Sequence, residues 1–321
     1  MTADTAQFLG IDLGGTHLRV ALVDAAGQVL SAERRETDRS GPEAVIAQMV
    51  ALIGAVRGPA TRAPGIRALG VGVPGTIDPA AGTVLGVPAL PGWGGVPLAA
   101  RLREATGLPV VLENDAKAAC IGEWRAGAGA GSDNVAYVTV STGIGAGIVA
   151  EGRLLRGASG LAGELGHTRL TEQPVRCACG RTGCWQALAS GPALAARAQA
   201  RAVPGSRLAA LADGLPVLPR HVGTAAAEGD PTALALLEEM AEWLGVGFAN
   251  LQHAYDSERI VVGGGVSALL EQMRGGIEAT LRARLLPGFR PALIRRAALG
   301  DDAGLVGAAL AAREAWSRTM R

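Results

Sequence analysis

Phe8-Leu-Gly-Ile-Asp-Leu-Gly-Gly-Thr-His-Leu-Arg-Val-Ala-Leu-Val23 is a short apolar run, a glycine turn and a second run in which Leu18, Val20 and Leu22 alternate with other residues. The period of two predicts a strand on each side of Leu13–Thr16. A dinucleotide-binding turn needs a helix directly after its glycines, and here a strand follows, which argues against that use. The spacing instead predicts a hairpin whose Gly14-Gly15-Thr16 tip offers successive backbone N–H groups to an anion. An ordinary hairpin turn reads the same way. The design returns further on: Asn134 to Val140 reads as a strand, Ser141-Thr-Gly-Ile-Gly-Ala-Gly147 as a glycine turn, and Ile148 to Ala150 as a strand that turns at Glu151-Gly152. Two such units in one chain predict two related halves, each with an anion-binding loop.

Between and after these units, strand and helix patterns alternate, which indicates an α/β protein with parallel pairing. Pro42 to Val56 reads as a helix, Arg67 to Val73 as a buried strand, and Thr76 to Gly95 as loop-rich. Leu98 to Thr106 is a predicted helix and Pro109 to Leu112 a strand. That strand runs into Glu113-Asn114-Asp115, with a helix expected from Ala116. Carboxylate and amide groups at the carboxyl end of a strand lie where α/β sheets bind ligands, although both residues also suit an N-cap.

In the second half, Ser190 to Arg201 and Leu208 to Asp213 read as helices and Pro216 to Arg220 as a loop. Pro231 to Tyr255 reads as a long helix with a core-facing stripe at 234, 237, 241, 244, 248 and 251. Arg259 to Val262 is a strand entering Gly263-Gly264-Gly265, with Ser267 expected to cap a following helix whose N-terminus favours negative charge. The last helix is expected over Gly304 to Trp316.

The chain has four cysteines, and Cys177, Cys179 and Cys184 fall within eight residues, ten after His167. Three thiolates and an imidazole suit a closed tetrahedral zinc site. Disulfides fit less well, because Cys177 and Cys179 are too close in sequence to pair comfortably and one thiol would be left over. Hydrophobic residues are 49% and charged residues 18% of 321, enough for two globular cores. No apolar run approaches a membrane span. A net charge of +1 without a basic run and 3% aromatic residues leave no nucleic-acid footprint. The opening residues carry neither a basic region nor an apolar signal core, which reads as cytoplasmic.

Taken together, Asp12-Leu-Gly-Gly-Thr16, Leu112-Glu-Asn-Asp-Ala116, Ser141-Thr-Gly-Ile-Gly145, Gly163-Glu-Leu-Gly-His167, the Cys-x-Cys-Gly-x-x-Gly-Cys block and Val262-Gly-Gly-Gly-Val266 resemble the ROK family. The likeness is to its glucokinase and hexokinase type, in the sugar-kinase branch of the actin-like ATPases. The resemblance implies a two-domain, ribonuclease H-like α/β fold with a cleft between the domains. The smaller domain would take 1–116 plus about 304–321, and the larger 117–303. It implies an ATP-dependent kinase for the 6-hydroxyl of a hexose, with Asp115 as general base. Sugar contacts would come from Asn114, Asp115, Glu164, His167 and Gln186. ATP would be held by Asp12, Gly14, Gly15, Thr16, Ser141, Thr142, Gly143, Gly145, Gly263, Gly264 and Gly265. Magnesium would accompany ATP near Asp12, zinc would be structural, and the protein would form a homodimer or higher homo-oligomer.

Repressors of the same family carry an N-terminal winged helix, for which a first strand near Phe8 is expected to leave no room. Three positions depart from the family pattern. Gln186 stands where a glutamate is usual, Ala89 where an asparagine is common, and Lys117 replaces a common asparagine. They bear on which hexose is bound more than on the chemistry.

Overall fold

The computed structural model describes residues 6–57 and 65–320; the stretches 1–5, 58–64 and 321 of the expected first domain lie outside the described residues. The first half begins with β1 (Gln7–Leu13), β2 (His17–Asp24), β3 (Val29–Glu36) and α1 (Pro42–Arg57). β4 (Ile66–Val73), β5 (Thr76–Asp78), β6 (Thr83–Gly86), α2 (Leu98–Thr106), β7 (Val110–Asn114) and α3 (Asp115–Ala126) follow. One five-stranded sheet has the order β3-β2-β1-β4-β7. β1 is antiparallel to β2 and parallel to β4, and β4 is parallel to β7. Its α1 face packs Leu9, Ile11, Val45, Met49, Leu52 and Val71 into one core.

The second half starts with β8 (Val135–Val140), β9 (Ile144–Ala150) and β10 (Arg153–Leu154), and then a 3-10 turn at Leu165–His167. Next come α4 (Trp185–Ala189), α5 (Gly191–Arg201), α6 (Arg207–Ala212), α7 (Pro219–Ala227) and α8 (Pro231–Tyr255). β11 (Arg259–Gly263), α9 (Leu270–Arg284) and β12 (Leu293–Arg296) complete it, before the final helix α10 (Ala303–Thr319). The second sheet has the order β10-β9-β8-β11-β12, the same pattern of connections as the first. The repeated design expected from the two glycine hairpins is therefore present as repeated sheet topology.

By compactness the chain divides into two units. One takes the chain up to Gly131, Arg153–Gly163 and everything from Ala298; the other takes Ser132–Gly152 and Glu164–Ala297. The expected boundary at 116 differs because α3 packs with α10 in the first unit. There Gly307 brings the α10 backbone so close to α3 that a Cβ would lie 1.6 Å from the Ala118 carbonyl oxygen. Gly10 and Gly70 likewise let the sheet meet the α10 backbone at Leu305 and Ala308. Leu305, Val306 and Leu310 are buried there, worth about 2 kcal/mol each.

Several local expectations need correction. The loop-rich stretch contains the β5–β6 hairpin. α7 begins inside the expected Pro216–Arg220 loop, with Pro219 in its first turn, where a missing N–H costs nothing. The second glycine turn is only Ser141–Gly143: Gly145 and Gly147 lie in β9 opposite Thr139 and Tyr137, because cross-strand pairing outweighs the weak strand preference of glycine. Ser267 does not cap a helix; it lies inside a 3-10 turn, Gly265–Leu269, ahead of α9. Leu234 is exposed, so the α8 stripe begins at Leu237.

Candidate functional site

The parallel strands β1, β4 and β7 end together, with Asp12 paired to Gly72, Gly72 to Glu113 and Val73 to Asn114. This register gathers Asp12, Asn114 and Asp115 at the carboxyl edge of the first sheet. The two readings of Asn114-Asp115 divide between the residues. Asn114 is the N-cap of α3: Oδ1 accepts from the backbone N–H of Ala116 and Lys117 at 3.1 and 3.2 Å, and Nδ2 donates to the Gly75 carbonyl at 3.3 Å. Asp115 is the first helical residue, with Oδ1 accepting from Ala116 N at 2.8 Å. Its carboxylate thus stands at the positive end of the helix dipole.

Burial raises the Asp12 carboxyl to about pH 6; Arg19 opposes the rise, and Asp115, Asp301 and Asp302 add to it. Arg19 in turn pairs with Asp302 and donates to the Asp301 carbonyl. Sequence reading missed Asp301 and Asp302. The signal available was an Asp-Asp pair directly before an apolar helix.

At the first glycine turn, Gly14 N–H donates to the His17 carbonyl at 2.9 Å. The carbonyl oxygens are claimed from outside the turn. Thr37 Oγ1 donates to Gly14 at 2.7 Å, Thr37 N–H to Thr16 at 2.9 Å, and Arg39 to Gly15 at 2.9 Å. With the Gly14 N–H spent inside the turn, the engaged carbonyls suit a loop that offers the Gly15 and Thr16 N–H groups, rather than all three, to an anion. Thr37 and Arg39 were also missed. The β2–β3 register, which sets Glu36 opposite His17, was the signal that would have brought them beside the tip.

The Ser141–Gly143 turn of the second unit is closed by Ser141 N–H donating to the Gly143 carbonyl at 2.9 Å, with Ser141 and Thr142 exposed. β11 delivers Gly263–Gly265 to the same sheet. Gly264 takes φ 78° against the backbone of Val140, whereas Gly265 faces open space.

Glu164, which is exposed, immediately precedes the 3-10 turn that carries His167. That turn is pressed on β9 at Gly166, where a Cβ would lie 2.0 Å from the Ile144 carbonyl oxygen. The Gly in Glu-Leu-Gly-His is therefore a packing requirement. His167, Cys177, Cys179 and Cys184 bring their ligand atoms within 4.8 Å of one another. His167 Nδ1 is 3.8 Å from Cys177 Sγ, and Cys179 and Cys184 Sγ are 3.7 Å apart. A tetrahedron with bonds of about 2.3 Å has edges of about 3.8 Å, so the quartet fits a metal ion in size and in donor chemistry. Burial pushes the Cys184 thiol up to about 12, and a bound cation is what would hold it as thiolate. Trp185 locks the block in place, donating from Nε1 to the Trp243 carbonyl at 3.0 Å and meeting Phe248 edge-on. Gln186, next along α4, accepts from Ile144 N–H and donates to Cys177 Sγ, each at 3.4 Å.

The first unit thus collects Asp12, Gly14–Thr16, Asn114 and Asp115; the second collects Ser141–Gly145, Glu164, the metal quartet, Gln186 and Gly263–Gly265. A sequence model of the ROK family matches residues 8–315. The glucokinase of Streptomyces coelicolor is 39% identical over 314 residues, 95% of this chain and 97% of the relative. An Escherichia coli N-acetylmannosamine kinase is 37% identical, covering 95% and 98%. The crystal structure of a Streptomyces griseus ROK glucokinase in complex with glucose and AMPPNP superposes with a TM-score of 0.81 at 38% identity, covering 96% and 100%. The fold is the two-domain actin-like ATPase fold.

Proposed function

The chain belongs to the ROK family, and we propose that it is an ATP-dependent hexose kinase acting on the 6-hydroxyl of glucose. The observation that carries this reading is the carboxyl edge of the first sheet, where Asp115 stands on a helix N-terminus beside Asp12. Asp115 accepts the proton of the sugar hydroxyl as its oxygen bonds to the γ-phosphorus of ATP and the bond to the ADP oxygen breaks. Asp12, Gly14, Gly15 and Thr16 meet the phosphates from the first unit. Ser141, Thr142, Gly143 and Gly145 take the same role in the second unit, with Gly263–Gly265 along the nucleoside. Magnesium would come with ATP and neutralise phosphate charge; Asp12 is the residue that would attend it, through water, since the ion dehydrates reluctantly.

Asn114, Asp115, Glu164, His167 and Gln186 receive the sugar hydroxyls. Asn114 does so after spending Oδ1 on its cap, and Gln186 through the second lone pair of its carbonyl. His167, Cys177, Cys179 and Cys184 would hold zinc, and such an ion would fix the tautomer and direction of His167. Its Nδ1 lies on the sulfur side, which leaves Nε2 for substrate. No helix among the described residues is long and apolar enough to cross a membrane; we place the enzyme in the cytoplasm, as a homo-oligomer without a nucleic-acid partner. The first half spans 1–116 with the C-terminal helix, extended by α3 and Arg153–Gly163, as the compact units suggest.

A coupled ADP-release assay over glucose, mannose and N-acetylhexosamines, run with ATP and with polyphosphate, tests the reading. Turnover should be highest with glucose and ATP and collapse in Asp115→Ala. Preference for an N-acetylhexosamine would reassign the substrate, and tight sugar binding without any turnover would make the protein a sugar-binding regulator.

A further inference from the structure

We infer that Gln186 is a positioning residue whose side-chain amide ties the state of the His167–Cys177–Cys179–Cys184 cluster to the backbone of the Ser141–Ile144 turn. Its two ends face groups of opposite need. The Ile144 N–H donates to Oε1 at 3.4 Å, and Nε2 donates to Cys177 Sγ at 3.4 Å, a sulfur that as a metal-bound thiolate would call for a donor. Only an amide in this one orientation satisfies both. A carboxylate in its place would keep the first bond and set a negative oxygen against a thiolate.

Both ends are built in. Gln186 follows the ligand Cys184 in the first turn of α4, whose start is held by the buried Trp185 indole. Gly143 lets the turn come down on the amide, with a Cβ there 2.9 Å from Oε1. The turn is also pinned from the other side, where Gly191 N–H donates to the Ser141 carbonyl at 2.9 Å, so movement at Gln186 falls on Gly143 and Ile144. N–H bonds to a ligating sulfur spread its charge and fix its direction, and losing such outer partners costs about 10- to 100-fold in metal affinity. Gln186 therefore transmits metal occupancy to the turn. By linkage, whatever binds the turn must tighten the metal in return. The coupling to ATP rests on the reading of this turn as a phosphate loop; the coupling to its backbone does not.

Hydrogen–deuterium exchange on the full chain, with zinc bound and after chelation, separates the two. In the wild type, chelation should speed exchange in the peptide covering Ser141–Ala146 and leave Leu13–Leu18 unchanged. In Gln186→Ala the Ser141 peptide should exchange fast already with zinc bound, with no further response to chelation, and zinc should pass to a colorimetric chelator about tenfold faster. Gln186→Glu, of equal shape, should speed zinc release while the zinc-bound Ser141 turn stays slow. An equal response of the Ser141 peptide to chelation in wild type and Gln186→Ala overturns the inference, as does unchanged zinc release in both variants. Calorimetry with AMPPNP forms the functional arm, where zinc should tighten wild-type binding about fivefold and Gln186→Ala binding not at all. Coupled exchange without that nucleotide effect sustains the amide link and sinks the phosphate-loop reading instead.

Discussion

The turns at Leu13–Thr16 and Ser141–Gly143 each join antiparallel strands in a five-stranded sheet of the same order, yet what stands behind them differs. The first is backed by its own sheet and the chain just after it, since Thr37 and Arg39 follow β3 and take its carbonyl oxygens. The second leans in part on Gln186, two residues after the proposed metal ligand Cys184 and more than forty positions away in sequence. Duplicated topology thus came with unequal support: one loop is held by the chain around it, the other by Gly191 and, through Gln186, by a cluster that on the proposed reading is complete only with its ion. The half with the protein-held loop also carries Asp115, so loss of the base and loss of the metal should fail in different ways.

Asp115→Ala tests the first failure and should give the largest effect. Proton acceptance by a positioned group is worth about 10²- to 10⁴-fold, so kcat should fall by that much while calorimetry finds hexose affinity within a few fold of wild type. Equal losses in kcat and sugar affinity would mean that Asp115 binds rather than accepts the proton. Metal removal tests the second. Chelation should raise the hexose KM about tenfold, because Glu164 and His167 sit on the turn that the metal aims, with a smaller change in kcat. Steady-state kinetics before and after zinc is restored would check it, and a KM indifferent to zinc would leave the cluster purely structural.

Much of this was legible in the chain, and the illegible parts share a cause. The clustering of His167 with the three cysteines could be read because those cysteines lie in one short loop, and the placement of Asp115 because a strand end and a helix start meet there. The two sheets could be read from period-two runs around glycines. Thr37, Arg39, Asp301 and Asp302 left only faint signals, since each reaches its place through strand register or through the return of α10, neither of which is local. β9 was misread at Gly145 and Gly147 because glycine usually marks turns, and only pairing with Thr139 and Tyr137 makes it strand. Gln186 was singled out for its departure from a pattern, but its reach to Ile144 depends on how α4 lies on β9.

Asp12 belongs to the protein-held half and gives it a pH signature of its own. Its carboxyl is raised from 3.8 to about 6, mainly by burial. Below 3.8 both folded and unfolded chains carry the proton. Between 3.8 and about 6 only the folded chain keeps it, so stability falls as pH rises through that window, by at most about 3 kcal/mol, and is flat above it. Asp12→Asn should abolish that slope in denaturant titrations at pH 4 to 7 and raise stability at pH 7.5, while lowering turnover. A slope that survives the substitution would place the titration elsewhere.

The smallest effects make the sharpest contrast, because the same substitution can be made in both turns. A Cβ at Gly14 would meet the His17 carbonyl oxygen at 2.7 Å, and one at Gly143 would meet Gln186 Oε1 at 2.9 Å. The distances are similar but the obstacles are not. The His17 oxygen is held by the Gly14 N–H at the base of the hairpin and cannot retreat without opening the turn, whereas the amide is the far end of a flexible side chain. Gly14→Ala should therefore cost about 2–3 kcal/mol, and Gly143→Ala about 1 kcal/mol. The milder change should act at a distance, by pushing Gln186 off Ile144 or off Cys177 and so hastening zinc release, which Gly14→Ala should leave untouched. Thermal melts together with chelator kinetics on the two variants would show it. If Gly143→Ala destabilises as much as Gly14→Ala and zinc release stays at the wild-type rate, the second turn is held by its own backbone, and the asymmetry between the halves disappears.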